Sequence, residues 1–345
     1  MRRRLVTWIS RCAAVGLCAL GACTPAGDAP AGGTGAATTT AASGTAPGTS
    51  GAATAGTAAP PGGGAGAPLR ALPAGAPLAI GVTLHPYYSW TKNVVGDAPG
   101  VEIRSVLPGD VDAGNYQPRP EDIQKLAGLQ AIVTNGLGHD DFINDMIKAS
   151  GNAGLVVLRP NEGTPTIRGQ NGGSINSHTF ISFTNAIQQT YAIEKALSAL
   201  RPDAAEKFRT NAGEYAKRLR LIKAGAAQKL AAAKITRVVT VHDGYSYLCQ
   251  ELGIDVAGVV EPAHGLVPSA NELAAMVELL KKEKIRVVLT EETFPDKLLE
   301  VLRSAGEVKV YVITHIASGE YTADKFEKEM QKNVDTLVQA LVTDG

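Results

Sequence analysis

The sequence predicts an α/β fold of two Rossmann-like βα lobes with parallel-rich sheets, joined by one long rigid helix, with a ligand cleft between the lobes. Three observations predict it. Short apolar runs alternate with helix-like segments through residues 78–158 and again through 237–341, the βαβα rhythm of a parallel sheet covered by helices. A single helical stretch of roughly 30 residues, Asp203 to about Ala233, separates the two regions and is long for a globular helix. Histidines recur just after strand-like runs in both regions, and open α/β sheets bind ligands outside the carboxyl ends of their strands.

In the first region Leu78–Leu84 reads as a strand, Tyr88–Val95 as a helix and Val101–Val106 as a second strand. The loop from Leu107 to Asn115 leads to Pro120-Glu121-Asp122, where a proline and two acids suit a first helical turn. Gln130–Thr134 is a strand closed by Asn135-Gly136, Phe142–Ala149 a helix and Gly154–Leu158 a fourth strand. A helical stretch, Ile181–Leu200, breaks at Arg201-Pro202. Beyond the long helix, strands are expected at 237–241, 256–260, 287–289 and 308–313, with helices at 245–252, 270–283, 295–305 and 323–341. The lobes therefore fall at 77–202 and 234–345, with 203–233 linking them.

The N-terminal segment is of a different kind. Arg2, Arg3 and Arg4 precede an apolar stretch, Ala13–Leu20, too short to span a bilayer. Leu20-Gly21-Ala22-Cys23 resembles a bacterial lipoprotein lipobox, which implies a signal peptide over 1–22 and lipidation of Cys23. Residues 24–76 are almost entirely Ala, Gly, Thr, Pro and Ser, so 23–76 is expected to be a disordered tether. Cys12 and Cys18 would leave with the signal and Cys23 would carry lipid, so Cys249 alone remains and no internal disulfide is expected. The leader carries four arginines and no acid, so its loss turns a chain of 33 basic and 33 acidic residues mildly acidic. That balance argues against a nucleic-acid partner.

Six histidines are the candidate chemistry: His85, His139, His178, His242, His264 and His315. Four of them follow strand-like runs, and His178 sits in a loop before a helix. Their wide spacing matches no zinc finger, whose ligands cluster locally. A site made from them would form only on folding, and imidazole suits zinc in particular.

Several short motifs stand in order along the chain. They are Leu107-Pro108-Gly109 followed by Tyr116 to Ile123, Val133-Thr134-Asn135-Gly136-Leu137-Gly138, Asn176-Ser177-His178-Thr179-Phe180, Val241-His242-Asp243-Gly244-Tyr245-Ser246-Tyr247, and Pro268-Ser269-Ala270-Asn271-Glu272-Leu273. With them, residues 78–341 resemble the periplasmic metal-binding receptors of ABC importers for zinc, manganese and iron. The resemblance implies that His178 and His242 are metal ligands and that His315 stands where the family usually has aspartate. It also aligns the family's first ligand with Gly114, which has no side chain to bind with. His139 is expected to take that role, with His85 as runner-up and Glu292 and His264 as further alternates. Glu291 and Glu292 follow a strand and could approach the cleft, and Asp243 is a plausible acceptor behind His242. Four neutral imidazoles without a carboxylate favour zinc, with manganese or iron as the alternative. The expected role is a monomeric solute-binding receptor, lipid-anchored outside the membrane, that hands a divalent ion to an ABC permease. Other readings are an adhesin of the same fold, a receptor for a metal chelate, and a secreted metallohydrolase. The last lacks a His-Glu-x-x-His or Gly-x-Ser-x-Gly motif.

Overall fold

The computed structural model describes residues 69–170, 174–261 and 265–345. The signal segment, Cys23, the tether as far as residue 68, and His264 lie outside the described residues. Two four-stranded sheets form, and every strand pair in them is parallel. In the first, β1 (Leu78–Val82) lies between β2 (Val101–Ser105) and β3 (Ala131–Val133), with β4 (Val156–Leu158) beyond β3. The second repeats that order: β5 (Arg237–Thr240) lies between β6 (Asp255–Val259) and β7 (Val287–Thr290), with β8 (Lys309–Val312) outermost. The inner strands β1 and β7 are buried along their whole length, because a parallel sheet is covered on both faces. The edge strand β2 instead alternates half-buried and exposed residues.

Helix α1 (His85–Val95) follows β1 almost directly. It begins three residues before the expected Tyr88, because Pro86 fits the first turn, where its fixed φ is helical and its missing N–H is not needed. His85 is thus the first residue of a helix and not part of a loop. Short helices α2 (Pro120–Gln124) and α3 (Phe142–Ala149) complete the first lobe's crossovers. Helix α4 (Phe183–Leu200) then turns at Arg201-Pro202 into α5 (Ala205–Leu230), the long helix between the lobes. Arg201 is buried at that turn, bonded to Asp203 and to the Ala76 carbonyl. Phe208, Ala212, Tyr215, Ala216, Leu219, Ala226 and Leu230 form a buried stripe along α5 at helical spacing. That stripe packs on α1, α4 and the last helix, α9 (Lys325–Val338), so α5 is held from several sides.

The second lobe adds α6 (Ser246–Glu251), α7 (Ala270–Glu283) and α8 (Asp296–Arg303). α7 opens with a reciprocal capping box between Ser269 and Glu272. Although α9 follows the second sheet in sequence, it packs on α1. Phe326 meets Trp90 edge-on at 5.2 Å, the Ser89 hydroxyl donates to the Thr322 carbonyl at 2.8 Å, and Asn93 donates to the Ala323 carbonyl at 2.7 Å.

Glu251, at the end of α6, fastens the second lobe to the start of α4. Its carboxylate accepts from the Phe183 and Thr184 amides, both at 2.8 Å, and from the Thr184 hydroxyl, and it pairs with Lys223 of α5 at 2.9 Å. First-turn amides have no partner within their own helix, and the helix dipole favours an anion there. Glu251→Ala is expected to lower stability by about 1–3 kcal/mol, because it removes the acceptor of those part-buried donors. A urea denaturation curve would show this as a lower midpoint; an unshifted midpoint would mean that the contact contributes nothing.

Candidate functional site

A titratable side chain follows the carboxyl end of each strand. In strand order these are His85, Asp112, His139, His178, His242, Glu261, Glu291 and His315. The crossovers change direction between β1 and β3 and between β5 and β7, which opens a crevice at each switch point. His85 and His139 flank the first crevice, and His242 and Glu291 flank the second.

His139 ends a tight turn. Gly136, Leu137 and Gly138 all have left-handed backbone, with φ of 67°, 56° and 86°. Leucine adopts this conformation only when its surroundings impose it. Here Asp140 imposes it: its buried carboxylate accepts from the Thr83 hydroxyl at 2.6 Å and from the Asn135 and Gly136 amides at 2.7 and 2.6 Å. Burial pushes the pKa of Asp140 up, opposed by these three donors. The His139 ring then lies 4.9 Å from that of His178, centroid to centroid, and its Nδ1 lies 3.5 Å from the Ser177 hydroxyl.

His178 and His242 come from different lobes and meet with their Nε2 atoms 3.0 Å apart. The Nδ1–H of His178 donates to the Asn176 side-chain oxygen at 3.0 Å. The orientation of Asn176 is set independently, because its amide nitrogen donates to the Asp243 carbonyl at 2.8 Å and its oxygen also accepts from the His178 amide. The Nδ1–H of His242 donates to Glu261 at 3.0 Å. Both Nδ1 atoms are held and both Nε2 atoms converge on one point, and ring N–H groups held by an amide oxygen or a carboxylate are the usual support of metal-binding histidines.

His315 is placed differently. Its Nε2 lies 2.9 Å from Asp112, its Nδ1 lies 3.0 Å from Glu291, and its ring lies 5.3 Å from that of His242. Burial opposes its charge, but the two carboxylates outweigh burial and raise its pKa to about 10. His315 is thus an imidazolium clamped between two acids. Ile316, the next residue, has a left-handed φ of 63°, so this loop too is bent against its preference.

The four histidines expected to form the site therefore come together, joined by ring contacts from His139 through His178 and His242 to His315. Among the described residues no three His, Cys, Asp or Glu side chains stand in a geometry that could hold a metal ion without movement. The movement needed at the central pair is small. Two nitrogens on one tetrahedral zinc lie about 3.3 Å apart, a few tenths of an ångström beyond the present contact.

Three expectations need correction. Glu292 points away from the cluster: its side chain is 77% exposed and lies 3.6 Å from Lys332. Glu291 and Glu292 both lie past the end of β7 at Thr290, where the chain turns and sends their side chains different ways. Asp243 does not support His242; its carboxylate accepts from the Ser246 hydroxyl, and Glu261 stands behind His242 instead. The site also does not lack carboxylates, because Asp112, Glu261 and Glu291 all lie within ion-pairing distance of its imidazoles. Glu261 and Glu291 were legible by the same strand-end rule that selected the histidines. Asp112 lies two residues from Gly114, so the loop whose expected ligand is missing still sends a side chain inward. Its other oxygen accepts from the Gly114 amide at 2.9 Å.

Comparison with known proteins shows the family and the fold. The family model described as ZnuA, zinc-uptake complex component A, periplasmic, matches residues 80–340. The zinc-binding lipoprotein AdcA of Streptococcus pneumoniae is 26% identical over 285 residues, which cover 78% of this chain and 56% of that protein. The chain thus spans about half the length of that relative. The SBP FpvC from Pseudomonas aeruginosa, solved in complex with Mn2+, is 40% identical, with a TM-score of 0.73 over 78% of this chain and 100% of that one. A crystal structure of ZnuA shares the fold at 21% identity, with a TM-score of 0.68 over 77% of this chain and 99% of that one.

Proposed function

We propose that this chain, which belongs to the ZnuA family of periplasmic zinc-uptake components, captures one divalent metal ion between its lobes and delivers it to an ABC permease. The observation that carries the reading is the His178–His242 pair, one ring from each lobe, each with its far nitrogen already held. The proposed ligands are His178, His242 and His139, with the fourth position supplied from the Asp112–His315–Glu291 group. His315 can bind metal only after giving up a proton, so capture and proton release are coupled. His85 is left out of the proposed ligands because its ring stacks on Tyr321, whereas the ring contacts described above join His139, His178, His242 and His315.

Zinc is the favoured cargo, since imidazole nitrogens dominate the cluster. Manganese is the alternative, because Asp112 and Glu291 put hard oxygens within reach. A zinc-binding AdcA and an FpvC holding Mn2+ support these two in turn. The proposed chemistry is binding and release, with no bond made or broken in a substrate. The lobes are proposed at 77–202 and 234–345, linked by 203–233, with Cys23 as the lipid anchor of an exported protein.

Isothermal titration of the metal-stripped protein with Zn2+ should give about one site per chain. Repeated in buffers of different ionisation enthalpy, it should show net proton release near neutral pH, and affinity should rise with pH towards 8. Binding without proton release would remove His315 from the ligand group.

A further inference from the structure

We propose that His85 is a positioning residue that clasps the Asp112 loop to the His315 loop and thereby sets the preference of the site between imidazole-favouring and oxygen-favouring divalent ions. This rests on the reading that His315 belongs to the metal site. His85 is fixed as the first residue of α1 and is only 3% exposed. Its Nε2–H donates to the Gly109 carbonyl at 3.0 Å, three residues before Asp112. Its ring stacks on Tyr321, six residues past His315, with centroids 3.8 Å apart and planes 17° apart. Between these two contacts the loops touch directly. A side chain at Gly109 would run into the Gly319 carbonyl, so the two backbones pack at glycine distance. One side chain therefore holds both arms, and the Asp112–His315 pair closes at their inner ends.

His85 also borders the same small cavity as Asp112, His139 and His315, so it stands directly behind the site. Burial and the nearby Lys325 lower its pKa to about 4, so the ring is neutral and adds no charge to the site. Its influence on a bound ion is therefore geometric. While the loops are clasped, the Asp112 carboxylate is occupied by His315, and the open coordination is mostly nitrogen. Loosening the loops frees Asp112 oxygens to turn toward the ion, and manganese takes oxygen ligands more readily than zinc does.

The test compares the wild-type protein with His85→Ala, His85→Phe, Tyr321→Leu and His315→Ala, using competitive Zn2+ and Mn2+ titrations and the visible spectrum of the Co2+ form. His85→Ala should reduce the preference for Zn2+ over Mn2+ at least tenfold and weaken the strong tetrahedral Co2+ bands. His85→Phe keeps a ring for the stack and should fall between. Tyr321→Leu should shift the preference in the same direction and carries the test if His85→Ala folds poorly. Unchanged preference and spectrum in the His85 and Tyr321 variants, whatever their melting temperatures, would overturn the proposal. If His315→Ala also binds both ions as the wild type does, the assignment of His315 to the site fails; if it does not, only the role of His85 fails.

Discussion

Replacing His242 with alanine is expected to weaken binding of Zn2+ by about a hundredfold or more. Loss of an outer partner of a metal-bound histidine typically costs 10–100-fold, and removing the ligand itself costs at least as much. His178→Ala should cost a similar amount, because the two Nε2 atoms meet at one point from opposite lobes. Glu261→Gln should cost less, about tenfold, since glutamine keeps an acceptor near His242 but loses the charge that raises the basicity of the ring. Competition with a chromophoric chelator measures all three. An intact affinity in His242→Ala would remove His242, and with it the paired imidazoles, from the site.

The order of these effects follows from where each nitrogen points. His178 and His242 have their far nitrogens anchored and their near nitrogens converging, so they are prepared for metal before it arrives. His315 is not, because both its nitrogens are held by carboxylates. Its participation requires a proton to leave and one carboxylate to turn. The site thus pairs a rigid half, built across the lobes, with an adaptable half in the loops after β2, β7 and β8. An adaptable half with both oxygen and nitrogen donors fits a family whose relatives hold different ions.

Most of the fold was legible because its signals are local. Continuous apolar runs marked the parallel strands, and Arg201-Pro202 marked the break between α4 and α5. The strand-end rule, which depends only on topology, pointed to His139, His242 and His315, whereas His178, in a loop before a helix, was pointed to by the family resemblance. The partners of those histidines were harder to read. Whether Glu291 or Glu292 faces inward depends on the register of a strand end, and one residue of uncertainty reverses the answer. Asp112 faces His315 in a structure where the Leu107–Asn115 loop contacts His85 and the loop after β8. The contacts with the loop after β8 join residues more than 200 positions apart, as Asp112 and His315 are. The packing of α9 on α1 was invisible for the same reason, as its amphipathic pattern shows that one face is buried but not against what.

Gly244→Ala should lower metal affinity at least tenfold while leaving the melting temperature nearly unchanged. Gly244 is buried in the turn Asp243–Tyr245 that follows His242, and its φ lies outside the left-handed region, so alanine strains no backbone there. The conflict lies in the site. A methyl group at 244 would stand 2.7 Å from His242 Cδ2, 2.9 Å from its Nε2 and 3.2 Å from His178 Cδ2. Both rings would have to swing from their present contact, and their Nδ1 partners, Asn176 and Glu261, resist that swing. The cost therefore appears as misplaced ligands, and the overall fold is spared. A second substitution separates this from a general effect on packing. In a His242→Ala background the severe overlap is gone and only the looser approach to His178 remains, so Gly244→Ala should cost no more than about threefold there, a coupling of roughly 1 kcal/mol between neighbouring positions. Equal losses in the two backgrounds would mean that Gly244 acts through the fold and not through the paired imidazoles.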